Sequence, residues 1–168
     1  MAVDTSLSSC ARAATAQEAA FRIDRPIAPS RAGRVVALDE RAAEVLGRTA
    51  ELEWANARFY VCESAGEDVE SIVIKGIDGS PATLADELAS ASVVVMVATG
   101  DSGADCAYAL GKACWERGVQ TAGLVLGDGT SDDTAASAAV AALRPHARVL
   151  LPTADEGDVV DLLTALRV

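Results

Sequence analysis

The sequence predicts an α/β fold in which helices cover both faces of a mostly parallel sheet. Short apolar runs with strand character alternate with amphipathic stretches of roughly 10–15 residues, the pattern of repeated β-α-β units. Hydrophobic residues make up 51% of the 168-residue chain, yet it has only two Trp, two Tyr and two Phe. A core built from Ala, Val and Leu is typical of helices packed closely on a parallel sheet, and this length fits one domain.

The elements follow an N-terminal arm, residues 1–33, in which Pro26 and Pro29 interrupt any long helix. Residues 34–168 form the predicted three-layer, doubly wound, Rossmann-like domain. The predicted strands are 34–38, 58–62, 71–77, 92–98, 121–126 and 148–151, and the predicted helices are 41–52, 81–89, 104–117, 132–143 and 155–167. Strands 34–38, 92–98 and 121–126 should be parallel, because helical crossovers connect parallel neighbours.

Helix starts are predicted from capping residues. Ser80 before Pro81 predicts a capped helix with proline in its first position. The pairs Ser102 with Asp105 and Thr153 with Glu156 have the spacing of capping boxes.

The composition argues against several classes of partner. A formal net charge of −11 disfavours binding to nucleic acid or to an anionic membrane, since phosphate contacts need clustered Lys and Arg. The four cysteines form no CxxC pair and have one histidine, His146, to join them. We expect reduced thiols and a cytoplasmic protein that forms no membrane contacts, with a homo-oligomer left open.

The turn after strand 92–98 is the first candidate site. In doubly wound sheets, ligands bind beyond the carboxyl ends of the strands, where the strand order reverses. There, Gly100 and Gly103 allow close backbone approach, Thr99 and Ser102 supply hydroxyls, and Asp39 ends the facing strand. The positive end of the following helix favours an anion, so these five residues are the predicted ligand site for a small anionic compound.

Two alternatives stay open for this turn. Asp101, Asp105, Asp39 and Glu40 would repel a bare phosphate, so a bound anion requires Asp101 to turn away. A Mg²⁺ ion held by Asp39, Asp101 and Asp128 is the second hypothesis. The third hypothesis is that the turn is purely structural and binds no ligand.

Two stretches show a resemblance to the FtsZ/tubulin-like GTPases. "ASVVVMVATGDSGADCAYALGKACWERGVQTAGLVLGD" is similar to that family's glycine-box strand, helix and next strand. "GRVVALDERAAEVLGRTAE" followed by "ARFYVCES" resembles its first βαβ unit, so the similarity spans residues 33–128. The resemblance implies a nucleotide-binding fold, with Thr99, Gly100, Ser102 and Gly103 as phosphate-loop positions.

The resemblance to the FtsZ/tubulin-like GTPases does not imply that this chain hydrolyses GTP. The family's glycine box is longer and richer in glycine, its first turn has glycines where this chain has Asp39-Glu40, and we expect no room here for its second domain.

Taken together, these residues predict a non-catalytic or regulatory module that binds a nucleotide or another phosphate-containing ligand. A Mg²⁺-dependent enzyme acting on a phosphorylated substrate and an assembly protein that has lost its ligand are the alternatives. No catalytic residue is assigned. Cys106 begins a helix, where the dipole favours thiolate, but its spacing with Cys114 predicts two small buried side chains, and His146 should lie at the opposite end of the sheet.

Overall fold

The computed structural model describes residues 30–127 and 137–168. Seven strands and five helices lie in this part of the chain, with a short 3₁₀ turn at Asp101–Gly103. The strands are β1 (Gly33–Ala37), β2 (Ala57–Ser64), β3 (Val73–Gly76), β4 (Pro81–Ala82), β5 (Val93–Ala98), β6 (Gln120–Leu126) and β7 (Val149–Ala154). The helices are α1 (Glu40–Ala50), α2 (Leu84–Ser90), α3 (Ala104–Glu116), α4 (Ser137–Leu143) and α5 (Glu156–Leu166).

The strands form one sheet in the order β4-β3-β2-β1-β5-β6-β7. Strands β2, β1, β5, β6 and β7 are parallel, which confirms the α/β, mostly parallel, Rossmann-like sheet. From β1 the chain first moves to β2 on one side and later continues through β5, β6 and β7 on the other. The strand order therefore reverses between β1 and β5, the position where doubly wound sheets bind ligands.

A hairpin interrupts the predicted alternation. β3 pairs antiparallel with β2, and β4 pairs antiparallel with β3. The prediction of a helix beginning at Pro81 is wrong, because Pro81 and Ala82 form β4 and α2 starts at Leu84. Proline is tolerated in this short strand since β4 lies at the sheet edge, where its missing N–H breaks no ladder.

Alternation along the strands gives two hydrophobic cores. Val36, Met96 and their neighbours on one face pack against α2, α3 and α4. Val35, Val95 and their neighbours on the other face pack against α1 and α5. The completely apolar β5, buried along its whole length, is what a central parallel strand requires.

The two predicted capping boxes, Ser102 with Asp105 and Thr153 with Glu156, are also wrong. No side chain caps α3, because the Asp101–Gly103 turn leads directly into it. Helix α5 has a capping box made by Asp155 and Asp158. Within the described ranges, no helix has the length and apolar character needed to cross a membrane.

In the part of the chain that the structure describes, the charged side chain of Arg34 lies inside the domain. Arg34 on β1 is 4% exposed, and its Nε donates to Glu87 Oε2 on α2 at 2.6 Å. Burial raises the pKa of Glu87, but the hydrogen bond from Tyr60 and the positive charge of Arg34 outweigh burial and hold it below its ordinary value. This ion pair joins the central strand to the helix that covers it.

Candidate functional site

The β1–β5 register places Asp39 beside the β5–α3 turn. Residues of the two strands pair with a constant offset, the last pair being Ala37 with Val97. The backbone N–H of Leu38 then donates to the Val97 carbonyl at 2.9 Å. Continuing this register by two residues sets Asp39 opposite Thr99, so the two turns meet at the switch point as predicted.

The Asp39 carboxylate occupies the donors of that turn. Its Oδ2 accepts from the backbone N–H of Thr99 at 2.7 Å and of Gly100 at 3.2 Å. Its Oδ1 accepts from the Thr99 hydroxyl at 2.6 Å and from the N–H of Ala42 at 2.9 Å. Asp39 is therefore both the N-cap of α1 and an anion held by the β5–α3 turn. The sequence predicted the donors and the position of Asp39, but not their direct contact.

Asp101 turns away from this contact. Its Oδ1 accepts from the backbone N–H groups of Ala138 and Ala139, at 3.0 and 3.3 Å, at the start of α4. A carboxylate is favourable there because the first N–H groups of a helix have no intrahelical acceptors. Asp101 thus stabilises a neighbouring helix.

The predicted metal ligands are only partly covered by the structure. Asp39 and Asp101 accept hydrogen bonds from different backbone amides, and Asp128 lies outside the described residues. Across residues 30–127 and 137–168, no three His, Cys, Asp or Glu side chains form a group suited to a metal ion. The magnesium hypothesis stays a prediction.

The two glycines of the turn have different surroundings. A Cβ on Gly103 would lie 2.7 Å from the Leu38 Cβ and 2.8 Å from the Leu38 carbonyl oxygen, so glycine permits the turn to pack on the end of β1. A Cβ on Gly100 would have no atom within 4 Å. Ser102 is exposed to solvent. The turn is therefore open around Gly100 and at the Ser102 side chain, and closely packed at Gly103.

A cavity of about 570 Å³ lies next to the first turns of α3. Its walls come from Ala65, Gly66 and Glu67 after β2 and from Asp105, Tyr108, Ala109 and Lys112 on α3. Lys112 Nζ donates to the Glu67 carbonyl at 3.4 Å and so connects the two walls. The Tyr108 side chain, 54% exposed, offers an aromatic surface to a small molecule. Sequence reasoning missed this cavity, since its two walls are far apart in the chain.

The prediction that Cys106 and Cys114 are two small buried side chains is confirmed. Cys106 and Cys114 are 9% and 0% exposed, and both belong to the core on the α3 side of the sheet. His146 precedes β7 at the amino end of the sheet, and its ring lies 5.5 Å from the Tyr108 ring.

In comparisons with known proteins, the chain matches no protein-family model and no curated protein.

Proposed function

We propose that this protein is a non-catalytic, regulatory module that binds a small phosphate-containing ligand at the β5–α3 turn. One observation carries the proposal: the Thr99 N–H, the Thr99 hydroxyl and the Gly100 N–H all converge on the oxygens of one carboxylate. Donors arranged in this way suit the oxygens of a phosphate equally well. In the structure, the anion that they hold is the protein's own Asp39.

Ligand binding at this turn would be competitive with Asp39. A phosphate carries more charge and more acceptor oxygens than a carboxylate, and charge-assisted hydrogen bonds strengthen with charge. The N–H groups of Asp101 and Ser102, the first residues of the 3₁₀ turn, add donors without intrahelical acceptors. Displacement of Asp39 would separate the β1–α1 turn from the β5–α3 turn, which gives the module a way to signal occupancy.

A nucleotide is the ligand class to test first. The resemblance of residues 33–128 to the FtsZ/tubulin-like GTPases supports this choice. The 570 Å³ cavity beside Asp105 has the volume of a small-molecule site and an aromatic side chain, Tyr108, on which a planar ring can stack.

The same contact also favours a second candidate function. If Asp39 never leaves the turn, its carboxylate keeps the hydrogen-bond donors of the turn occupied and no external anion can bind there. The protein is then an assembly or scaffold protein that has lost its ligand. The two proposals differ in whether an external anion can compete with Asp39.

Thermal denaturation with GTP, GDP and pyrophosphate, each with and without Mg²⁺, tests the proposal. The informative variant is Asp39→Ser, because serine still caps α1 but is too short to reach Thr99 and Gly100. Asp155→Ser, at the N-cap of α5, is the matched control. At about 100 times Kd, we expect the ligand to raise the Tm of the wild type by about 5–10 °C.

The response of Asp39→Ser then separates the alternatives. A larger ligand-induced shift in Asp39→Ser than in Asp155→Ser supports competition at the turn. A shift that needs Mg²⁺ and disappears in Asp39→Ser contradicts it and favours the magnesium hypothesis. No shift for any probe in either variant rejects ligand binding and favours the scaffold.

A further inference from the structure

Another cavity, of about 270 Å³, lies where α3 ends and β6 begins. The residues that line it include Trp115 and Gly118 at and just after the end of α3, Thr121 on β6, and His146 and Arg148 before β7. These residues lie at the amino ends of the parallel strands, whereas the β5–α3 turn lies at the carboxyl ends. The sheet therefore separates this cavity from the ligand site proposed above.

The end of α3 shapes one side of the cavity. The Gly118 N–H donates to the Trp115 carbonyl at 3.1 Å, and the Val119 N–H donates to the Cys114 carbonyl at 3.0 Å. This pair of bonds is a Schellman motif, which needs a residue with positive φ after the helix, and Gly118 has φ 68°. A Cβ on Gly118 would have no atom within 4 Å. The chain therefore turns sharply into β6 and leaves open space at the glycine.

Trp115 supplies an aromatic wall. Its side chain is 70% exposed, more than any other large hydrophobic side chain in the described part of the chain. The second tryptophan differs, because Trp54 is half-buried, donates from Nε1 to the Thr49 carbonyl at 2.9 Å and has its ring 6.3 Å from that of Phe59. An indole that lines a cavity can stack on a planar ring and remove apolar surface of both from water.

Arg148 makes the cavity positively charged. Its backbone N–H donates to the Thr121 carbonyl at 2.9 Å, but its guanidinium makes no hydrogen bond or ion pair with any described residue. No Asp or Glu of the described ranges lines this cavity, although the chain has 25 acidic and 14 basic residues. The 570 Å³ cavity, in contrast, has Glu67 and Asp105 in its walls. The smaller cavity is therefore suited to an anion.

His146 forms a wall that is fixed by three contacts. A Cβ on Gly111 would lie 2.8 Å from His146 Cδ2, so glycine lets the histidine ring lie directly on α3. The Tyr108 ring packs against the histidine ring edge-on, and the Thr121 hydroxyl donates to the His146 carbonyl. Glycine inside a helix is destabilising relative to alanine, so the close contact at Gly111 comes at a cost to α3. This wall is in place before any ligand binds.

We propose that this cavity binds a small aromatic carboxylate, with the ring of the ligand against Trp115 and its carboxylate on the Arg148 guanidinium. Arginine pairs with a planar carboxylate through two parallel N–H···O bonds, a geometry that lysine does not offer. Small-molecule sites commonly start at about 300 Å³, so 270 Å³ suits a ligand with one ring. The site does not depend on the proposed function at the β5–α3 turn.

Benzoate is the probe, and two matched compounds separate its charge from its ring. Benzamide keeps the aromatic ring without the charge, and cyclohexanecarboxylate keeps the charge without the aromatic ring. Ligand-observed NMR titrations with the folded wild-type chain measure the three dissociation constants. We expect saturable binding of benzoate, about tenfold weaker binding of benzamide and about threefold weaker binding of cyclohexanecarboxylate. No binding of benzoate, or equal binding of benzoate and benzamide, would overturn the proposal.

Three variants locate the site. Arg148→Gln should weaken benzoate about tenfold and leave benzamide unchanged, whereas Arg144→Gln, an exposed arginine outside the cavity, is the matched control and should change neither. In Trp54→Phe, Trp115 is the one remaining tryptophan, and its fluorescence should change with benzoate at the dissociation constant that NMR gives for the wild type. Equal losses in Arg148→Gln and Arg144→Gln would show nonspecific attraction by surface charge and refute the site. Benzoate binding that leaves the Trp115 fluorescence unchanged would refute the stacking.

Discussion

Replacement of Asp39 by serine should destabilise the fold far more than the loss of a helix cap. The α1 cap is kept, because a serine oxygen can still accept from the Ala42 N–H. Three hydrogen bonds to the Asp39 carboxylate across the crevice are lost. The donors are the Thr99 hydroxyl at 2.6 Å, the Thr99 N–H at 2.7 Å and the Gly100 N–H at 3.2 Å. Hydrogen bonds to a charged acceptor contribute about 1.5–3 kcal/mol each, but water can replace part of this loss at a half-buried site. We expect a loss of about 2–4 kcal/mol in the free energy of unfolding.

Equilibrium urea denaturation of Asp39→Ser and of the control Asp155→Ser measures this loss. Asp155 caps α5 through its bond from the Asp158 N–H, and it lies far from the switch point in the sequence, so serine there should cost at most about 1 kcal/mol. A double-mutant cycle with Thr99→Val isolates the side-chain hydrogen bond between Asp39 and Thr99, for which we expect a coupling of about 1–2 kcal/mol. If Asp39→Ser and Asp155→Ser denature within about 0.5 kcal/mol of each other, the reasoning about the crevice is refuted.

Two further predictions concern packing and pH. Gly103→Ala should lower the free energy of unfolding by about 1–3 kcal/mol, since its Cβ would overlap Leu38, whereas Gly100→Ala should change it by less than about 0.5 kcal/mol in the same urea titration. Equal effects of the two substitutions would contradict the close approach of the turn to β1. Glu87→Gln should cost about 3 kcal/mol at neutral pH, because it leaves the Arg34 guanidinium buried without its carboxylate. The depressed pKa of Glu87 means that its contribution is present above its unfolded pKa and is lost as the pH falls through its folded pKa. Stability measured from neutral to acidic pH should therefore fall less steeply in Glu87→Gln than in the wild type, and parallel curves would reject this assignment.

Much of the architecture follows from local patterns in the sequence. The uniformly apolar β5 predicts a strand buried on both faces, and the amphipathic stretch that becomes α3 predicts the helix covering it. These patterns also place the reversal of strand order, and with it Asp39 and the β5–α3 turn, at one edge of the sheet. The sequence did not predict the hairpin β3–β4 for two reasons. Apolar and polar residues alternate in the same way in a parallel and in an antiparallel strand. Ser80-Pro81 also satisfies the rules for a helix start as well as those for an edge strand.

The chemical roles of the site residues were decided by tertiary structure alone. The sequence determines that the β5–α3 turn has N–H groups in need of an acceptor, but which acceptor reaches them depends on residues brought from elsewhere by the fold. Asp39 reaches Thr99 because the β1–β5 register puts them opposite each other, and Asp101 reaches Ala138 because α4 packs beside the turn. Local periodicity encodes which face of an element is buried, whereas the partner of a polar group is set by distances between elements, which no single stretch of sequence contains.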